Sequence, residues 1–206
     1  YTLYETENET GTTDTTATAT AKNYDGFIEN KTHSSRVASG NIAGDGSLVL
    51  KLYYDRQEYT YSVTVSIATT DGVTVTVNAN GIEQSTSTST TLTFNLEYQT
   101  VFTPTVKYTT SSGKSFNLVW GNSPGNTPVT NNATVMGSEM TMGLGGLSNS
   151  VTLRQLYSVS FNANGATGGT VPEPRYKIHD TTLAIPLNEL TRIGYTADGW
   201  NTEPDR

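Results

Sequence analysis

Apolar and polar residues alternate along most of this chain, and that habit narrows its fold more than any other feature. Tyr59, Tyr61, Val63, Val65 and Ile67 share one parity, with Thr60, Ser62, Thr64 and Ser66 on the other. Val73, Val75 and Val77 alternate with Thr74 and Thr76, and Leu92, Phe94 and Leu96 with Thr91, Thr93 and Asn95. Tyr157, Val159, Phe161 and Ala163 repeat the pattern. Successive side chains on a strand point to opposite faces, so this period reads as antiparallel sheet with one dry face and one wet face. Turn residues punctuate the runs: Asp71-Gly72, Asn80-Gly81, Ser112-Gly113, Gly121-Asn122-Ser123-Pro124-Gly125 and Asn164-Gly165. Helical spacing is nearly absent; a short turn near Leu187-Asn188-Glu189-Leu190, opened by Pro186, is the one helical candidate.

Composition agrees. Hydrophobic residues make up 34% and charged residues 15% of the 206 positions, and Thr, Ser, Asn and Gly fill the gap. Abundant β-branched Thr with little charge is not the signature of disorder. It suits small all-β modules with thin cores and hydroxyl-rich outer faces. The absence of Cys removes disulfide frameworks, thiolate metal sites and Cys nucleophiles. A net charge of -7 without a basic cluster disfavours nucleic acid and anionic lipid as partners. No apolar run reaches the roughly 18 residues of a spanning helix. The chain reads as a piece of a longer exported protein, monomeric within it.

Three segments emerge. Residues 1–58 hold a Thr-rich stretch, then Tyr24-Asp25-Gly26-Phe27, then Gly44-Asp45-Gly46-Ser47 feeding an expected strand over 48–56. That strand hands over almost at once to the run starting at Tyr59, as beads on a string are joined. Residues 59–156 hold about seven strand candidates at sandwich-like spacing. Residues 157–206 open on Tyr157 and carry Arg192-Ile193-Gly194-Tyr195 and Gly199-Trp200 towards their end.

The first segment resembles the mucin-binding-protein-type repeats of bacterial surface proteins. Thr10-Gly11, Asp14, Lys22, Tyr24, Gly26-Phe27, Gly40, Ile42, Asp45-Gly46-Ser47 and Tyr53-Tyr54-Asp55-Arg56 stand in that family's order. It departs in lacking a Gly before Asp14 and a large apolar residue at Thr16, and the family's opening strand falls before Tyr1. The last segment resembles the repeat shared by Listeria and Bacteroides surface proteins, the internalin-type B repeat. Val159-Ser160-Phe161, Asn164-Gly165, Gly168-Gly169-Thr170-Val171-Pro172, Thr191 to Tyr195 and Gly199-Trp200 carry that likeness. Leu190, where Pro is common, and Ala197, where an aromatic is usual, depart from it. The two resemblances imply secreted repeat stalks, some of which bind host glycoproteins, and they transfer no defined binding residue. Gly44, Gly46 and Gly165 suit tight turns. Tyr195 and Trp200 are expected to cover a thin core.

Candidate chemistry is sparse. His33 and His179 lie in different segments, with no Ser or Asp at a triad-like spacing. Glu5, Glu7 and Glu9 share a parity, and Glu139, Glu173, Glu189 and Glu203 are scattered, so no pair of acids stands out for glycosidic chemistry. Asp45 and Asp71 offer oxygen ligands in turns, but the full calcium loop is missing and plain Asp-Gly turn chemistry explains both. Lys51 and Lys107 are conceivable isopeptide lysines, as a substitute for disulfides. Trp120, with Met136, Met140 and Met142 set among glycines, forms the least stereotyped feature and the candidate binding residues. Core packing at a sandwich edge competes for the methionines. The 12 Tyr against 5 Phe point to rings with one packed end and one wet end, which also stack on sugars.

The expectation is therefore an all-β/α+β chain of tandem small modules. A partial β-grasp repeat (1–58) and a second, internalin-type one (157–206) flank an immunoglobulin-like β-sandwich (59–156). Its expected role is non-enzymatic and free of cofactor and metal, in a bacterial surface adhesin. It binds host glycans or glycoproteins or presents a distal head, outside the cell or on its wall. A pure spacer, or an accessory region of a secreted glycan-degrading enzyme, is the alternative.

Overall fold

The computed structural model describes residues 1–69, 71–122 and 125–202. Ser123 and Pro124 of the expected turn at 121–125, and Glu203, lie outside the described residues. Every element among the described residues is a strand, and the helical candidate at 187–190 is an irregular segment.

In chain order the strands are β1 (Thr16–Thr18), β2 (Phe27–Glu29), β3 (Ser39–Asn41), β4 (Tyr54–Arg56), β5 (Glu58–Ala68), β6 (Val73–Ala79), β7 (Ile82–Thr86) and β8 (Thr90–Glu97). They continue as β9 (Val101–Phe102), β10 (Thr105–Thr110), β11 (Ser115–Trp120), β12 (Val135–Met136), β13 (Met140–Thr141), β14 (Leu147–Val159) and β15 (Arg175–Ile178). One sheet has the order β12-β10-β6-β7, and another β11-β14-β5-β8 with β15 also on β14. The pairs β1-β3, β2-β4 and β9-β13 form two-stranded ribbons.

The chain divides into two compact units. The first comprises Tyr1–Tyr61, Phe94–Phe102 and Met140–Leu147. Its buried side chains are Tyr61, Phe94, Leu96, Phe102 and Met142, and the Tyr61 ring meets Phe102 edge-on at 5.1 Å. Gly26 is buried against Tyr98, whose ring atoms come as close as 2.2 Å to where a Cβ would stand, so only Gly fits. Residues 1–57 place no apolar side chain in the core.

The second unit comprises Ser62–Thr93, Thr103–Glu139 and Ser148–Arg206. Here alternation translates directly into burial: Val63 and Val65, then Val73, Val75, Val77 and Ala79, point inward. The Tyr108 and Phe116 rings, from strands of different sheets, lie 5.4 Å apart, consistent with two sheets sharing one core. The Tyr108 hydroxyl donates to Val129 O at 2.6 Å, which satisfies its polar end inside. Asn80 and Gly81, both with positive φ (52° and 84°), make the two-residue hairpin joining β6 to β7.

Two strands differ from expectation. The run 48–56 yields only β4 and an isolated bridge between Lys51 and Val37. Beside that bridge Leu48 packs over Gly40 of β3, where a Cβ would stand 2.7 Å from its Cδ1. The alternation from Tyr157 does not open a new strand: β14 runs unbroken from Leu147 and ends at Val159.

Candidate functional site

The four residues singled out by the sequence fall into both units. In the second unit Trp120 ends β11 half-buried, and its indole N–H donates to Val135 O at 3.2 Å. Gly137 lies under the same ring; a Cβ there would stand 3.2 Å from Trp120 Cε2 and 3.0 Å from Pro104 Cγ. The glycine among the methionines thus lets a backbone approach an indole. Met136, opposite Thr105 on β12, is 69% exposed. In the first unit Met140 pairs with Phe102, while Met142 is 1% exposed and belongs to the core. Its backbone N–H donates to Thr100 O and its carbonyl accepts from Gln99 N, both at 2.9 Å, so a short ladder carries it inward. The core reading therefore holds for Met142, and Trp120 spends its polar atom inside the fold.

A different cluster, unassigned by sequence reasoning, lies in the first unit. Tyr53 and Tyr54 are consecutive, so their rings leave an extended backbone on opposite sides. On one side His33 stacks on Tyr53 with centroids 3.7 Å apart, and Tyr1 meets both edge-on at 4.6 and 5.2 Å. The Tyr1 hydroxyl donates to Asp55, and Asn30 Nδ2 donates to the other Asp55 oxygen at 2.9 Å. The hydrogen bond from the Tyr1 hydroxyl to the Asp55 carboxylate raises the Tyr1 pKa. On the other side Tyr24 lies between Tyr54 and Tyr4 at 5.0 and 5.3 Å. The Tyr24 hydroxyl donates to Glu5 Oε2 at 2.7 Å, which pushes its pKa up to about 12. Lys22 pairs with Glu5 at 2.6 Å and with Glu7, and its pKa rises. The Lys22 ammonium and the Tyr24 hydroxyl together lower the Glu5 pKa. Glu5 and Glu7 are thus partners of one lysine, and residues 1–10 form no strand. The sequence signal was there, in the surplus of Tyr and the doublet Tyr53-Tyr54, but not its partners.

The remaining candidates resolve into ordinary contacts. Asp45 caps its own turn by accepting from Ser47 N at 3.0 Å, and Asp71 pairs with Lys114 at 2.9 Å. Among the described residues no group of three or more His, Asp or Glu could hold a metal ion. His179 bonds Tyr157 through Nδ1 at 2.9 Å and faces Asp180 through Nε2 at 3.3 Å. Lys107 sits 4.0 Å from Glu83. Outward hydroxyls pair across strands, Thr76 with Ser85 at 2.8 Å, Thr74 with Ser87 at 3.2 Å and Thr64 with Thr91 at 3.3 Å.

In the last segment the motif residues meet one another. Gly169 (φ 84°) crosses so close to Glu189 that a Cβ would lie 2.4 Å from its carbonyl oxygen, and Gly168 bridges Thr191. Trp200 packs on Phe161 at 4.8 Å and donates to Pro186 O at 2.7 Å. Tyr195 differs from expectation: it is 69% exposed and packs under Arg192 rather than over a core.

Residues 157–206 match the family model of the Listeria-Bacteroides repeat domain. No curated protein and no solved structure gives a significant match. The family match supports a bacterial surface repeat over that segment, and with it a surface-associated repeat region. Among the described residues no helix is long and apolar enough to cross a membrane.

Proposed function

We propose that this chain is a non-enzymatic spacer-and-display region of a bacterial cell-surface protein. It is read as a partial β-grasp repeat over 1–58, an immunoglobulin-like sandwich over 59–156 and an internalin-type repeat over 157–206, which together hold a binding head away from the cell. One observation carries this reading. The outward hydroxyls satisfy each other across strands, while Trp120 and Met142, the residues best suited to a ligand, are engaged inside. Paired hydroxyls present a hydrated, unreactive face, as a spacer requires. The net charge of -7 favours projection away from a polyanionic wall.

A second reading, direct adhesion to host glycans or glycoproteins, is favoured by the His33–Tyr53 stack with Asn30 and Asp55 beside it. Aromatic faces with flanking amide and carboxylate suit sugar rings and their hydroxyls. A glycan and mucin array probed with the folded chain separates the two. The spacer reading expects no saturable binding. Saturable binding that is lost in Tyr53→Ala and kept in Trp120→Ala would replace it with the adhesive reading.

A further inference from the structure

We propose that the surface formed by Lys22, Tyr24, His33, Tyr53, Tyr54 and Asp55 is a docking site for an extended acidic–aromatic peptide. Residues 1–7 are its occupant in this structure. The inference stands apart from the spacer reading and needs no glycan.

Among the described residues, no backbone hydrogen bond ties residues 1–9 to the rest of the chain. The segment is bound by side chains alone: Tyr1 on His33, Tyr53 and Asp55, Tyr4 on Tyr24, and Glu5 and Glu7 on Lys22. Tyr1 and Tyr4 stay 70% and 84% exposed, so their rings touch the surface edge-on without being buried in it, and Leu3, at 86%, has no ring or ion-pair contact. A strand joins its sheet through main-chain bonds whatever its sequence. A segment held only by side chains is selected by its sequence, which is how a peptide ligand is recognised.

The chemistry matches at each position. Tyr rings lose few rotamers on docking and offer both a ring edge and a hydroxyl. Edge-on contacts at 4.6, 5.2 and 5.3 Å place Tyr1 and Tyr4 in favourable ring geometry. Lys22 is a single cation facing two carboxylates, and Asp55 accepts the hydroxyl of Tyr1. The resulting code is aromatic, two free positions, aromatic, acidic, one free position, acidic. On the other side of the interface Tyr54 opens β4 and its hydroxyl accepts from the Lys22 N–H at 2.9 Å, while the Tyr53 and Tyr24 carbonyls accept from Asn30 N at 2.7 Å and Phe27 N at 3.0 Å. The receptor side is therefore built into the fold, and the ligand side is not.

The test uses the full chain with Tyr1→Ala, Tyr4→Ala, Glu5→Ala and Glu7→Ala combined. All four replaced side chains are on the exposed segment, so folding, checked by circular dichroism, is unaffected. A labelled peptide with the sequence of residues 1–10 is titrated into this opened variant and into the unaltered chain. The peptide is expected to bind the opened variant saturably, shifting the Tyr24 and Tyr54 ring resonances, and to bind the unaltered chain far more weakly. Adding Lys22→Glu to the opened variant is expected to weaken binding about three- to tenfold, the range of two exposed ion pairs. A peptide with Glu5→Lys and Glu7→Lys is expected to restore it. The proposal is overturned if the opened variant fails to bind the peptide. It is equally overturned if the unaltered chain binds as tightly, or if a peptide with both tyrosines replaced by Ala binds as well.

Discussion

Residues 58–156 and the segments on either side of them are made of similar amino acids yet hold together by different means. In the middle, long strands bury alternate side chains completely, as Val63, Val65, Val75 and Val77 show, and β11 and β14 bury three in a row around Phe116 and Leu153. Residues 1–57 bury no apolar side chain, and between 157 and 202 only Leu190 reaches the core. There the work passes to half-exposed rings, ion pairs and glycines in tight contact. Strand length decides which mechanism is available. A strand of 7 residues such as β6 turns four side chains into one core, whereas the 3-residue strands β1 to β4 cannot. Hydrophobic burial near 25 cal/mol per Å² then dominates in one region, and contacts individually worth less than about 1 kcal/mol dominate in the other.

The sharpest way to break this contrast is to truncate one side chain in each region. Phe116→Ala is expected to cost about 3–5 kcal/mol, read as a fall in the urea midpoint. Ile28→Ala, at a residue 57% exposed on β2, is expected to change stability by no more than about 0.5 kcal/mol. Equal losses would erase the distinction. Next in size is Gly169→Ala, where positive φ and the nearby Glu189 carbonyl leave no room. It is expected to cost about 1–3 kcal/mol, with amide shifts confined to the Gly168–Thr191 bridge and its surroundings. Smaller again, Tyr108→Phe removes the hydroxyl bonded to Val129 O and is expected to cost about 0.5–1.5 kcal/mol in the same urea assay.

The smallest effect is pH dependence in residues 1–24. Glu5 has a folded pKa below its ordinary value of 4.5. Its contacts with Lys22 and Tyr24 therefore stabilise the docked segment above that value and are lost as pH falls through the lowered one. Tyr24 works in the opposite sense, its pKa being raised from 10.0 to about 12. Its bond to Glu5 contributes fully below pH 10 and disappears as pH rises through about 12. Ring resonances of Tyr24 followed across both limits should report release at each end, with the middle strands unchanged at the acid end.

These differences also explain what could be read from the chain. Alternation is a local signal, and it located β5, β6 and β8 because burial there follows parity one residue at a time. The hairpin at Asn80-Gly81 was equally legible, since positive φ at two successive residues demands such a pair. The run 48–56 has the alternation without the burial that should accompany it: Val49 stays 61% exposed, and upstream of β4 the run makes only the Lys51–Val37 bridge. The surface cluster was hidden for another reason. Tyr1 meets Asp55 across 54 positions, and nothing in either neighbourhood announces the other. Trp120 drew attention as an unpatterned aromatic, but whether its indole N–H faced solvent or Val135 depended on β12 arriving beside it.

Native-state hydrogen exchange tests the central contrast most directly. Amides of β6, β10 and β14 should exchange only through global unfolding, with free energies that fall together as urea is added. Amides of β1 to β4, at Val37 and Lys51, and around Gly168 and Thr191 should exchange earlier, through local openings insensitive to urea. A single protection level shared by all of these amides would contradict the account, because it would mean that the flanking segments draw on the same core as the middle strands.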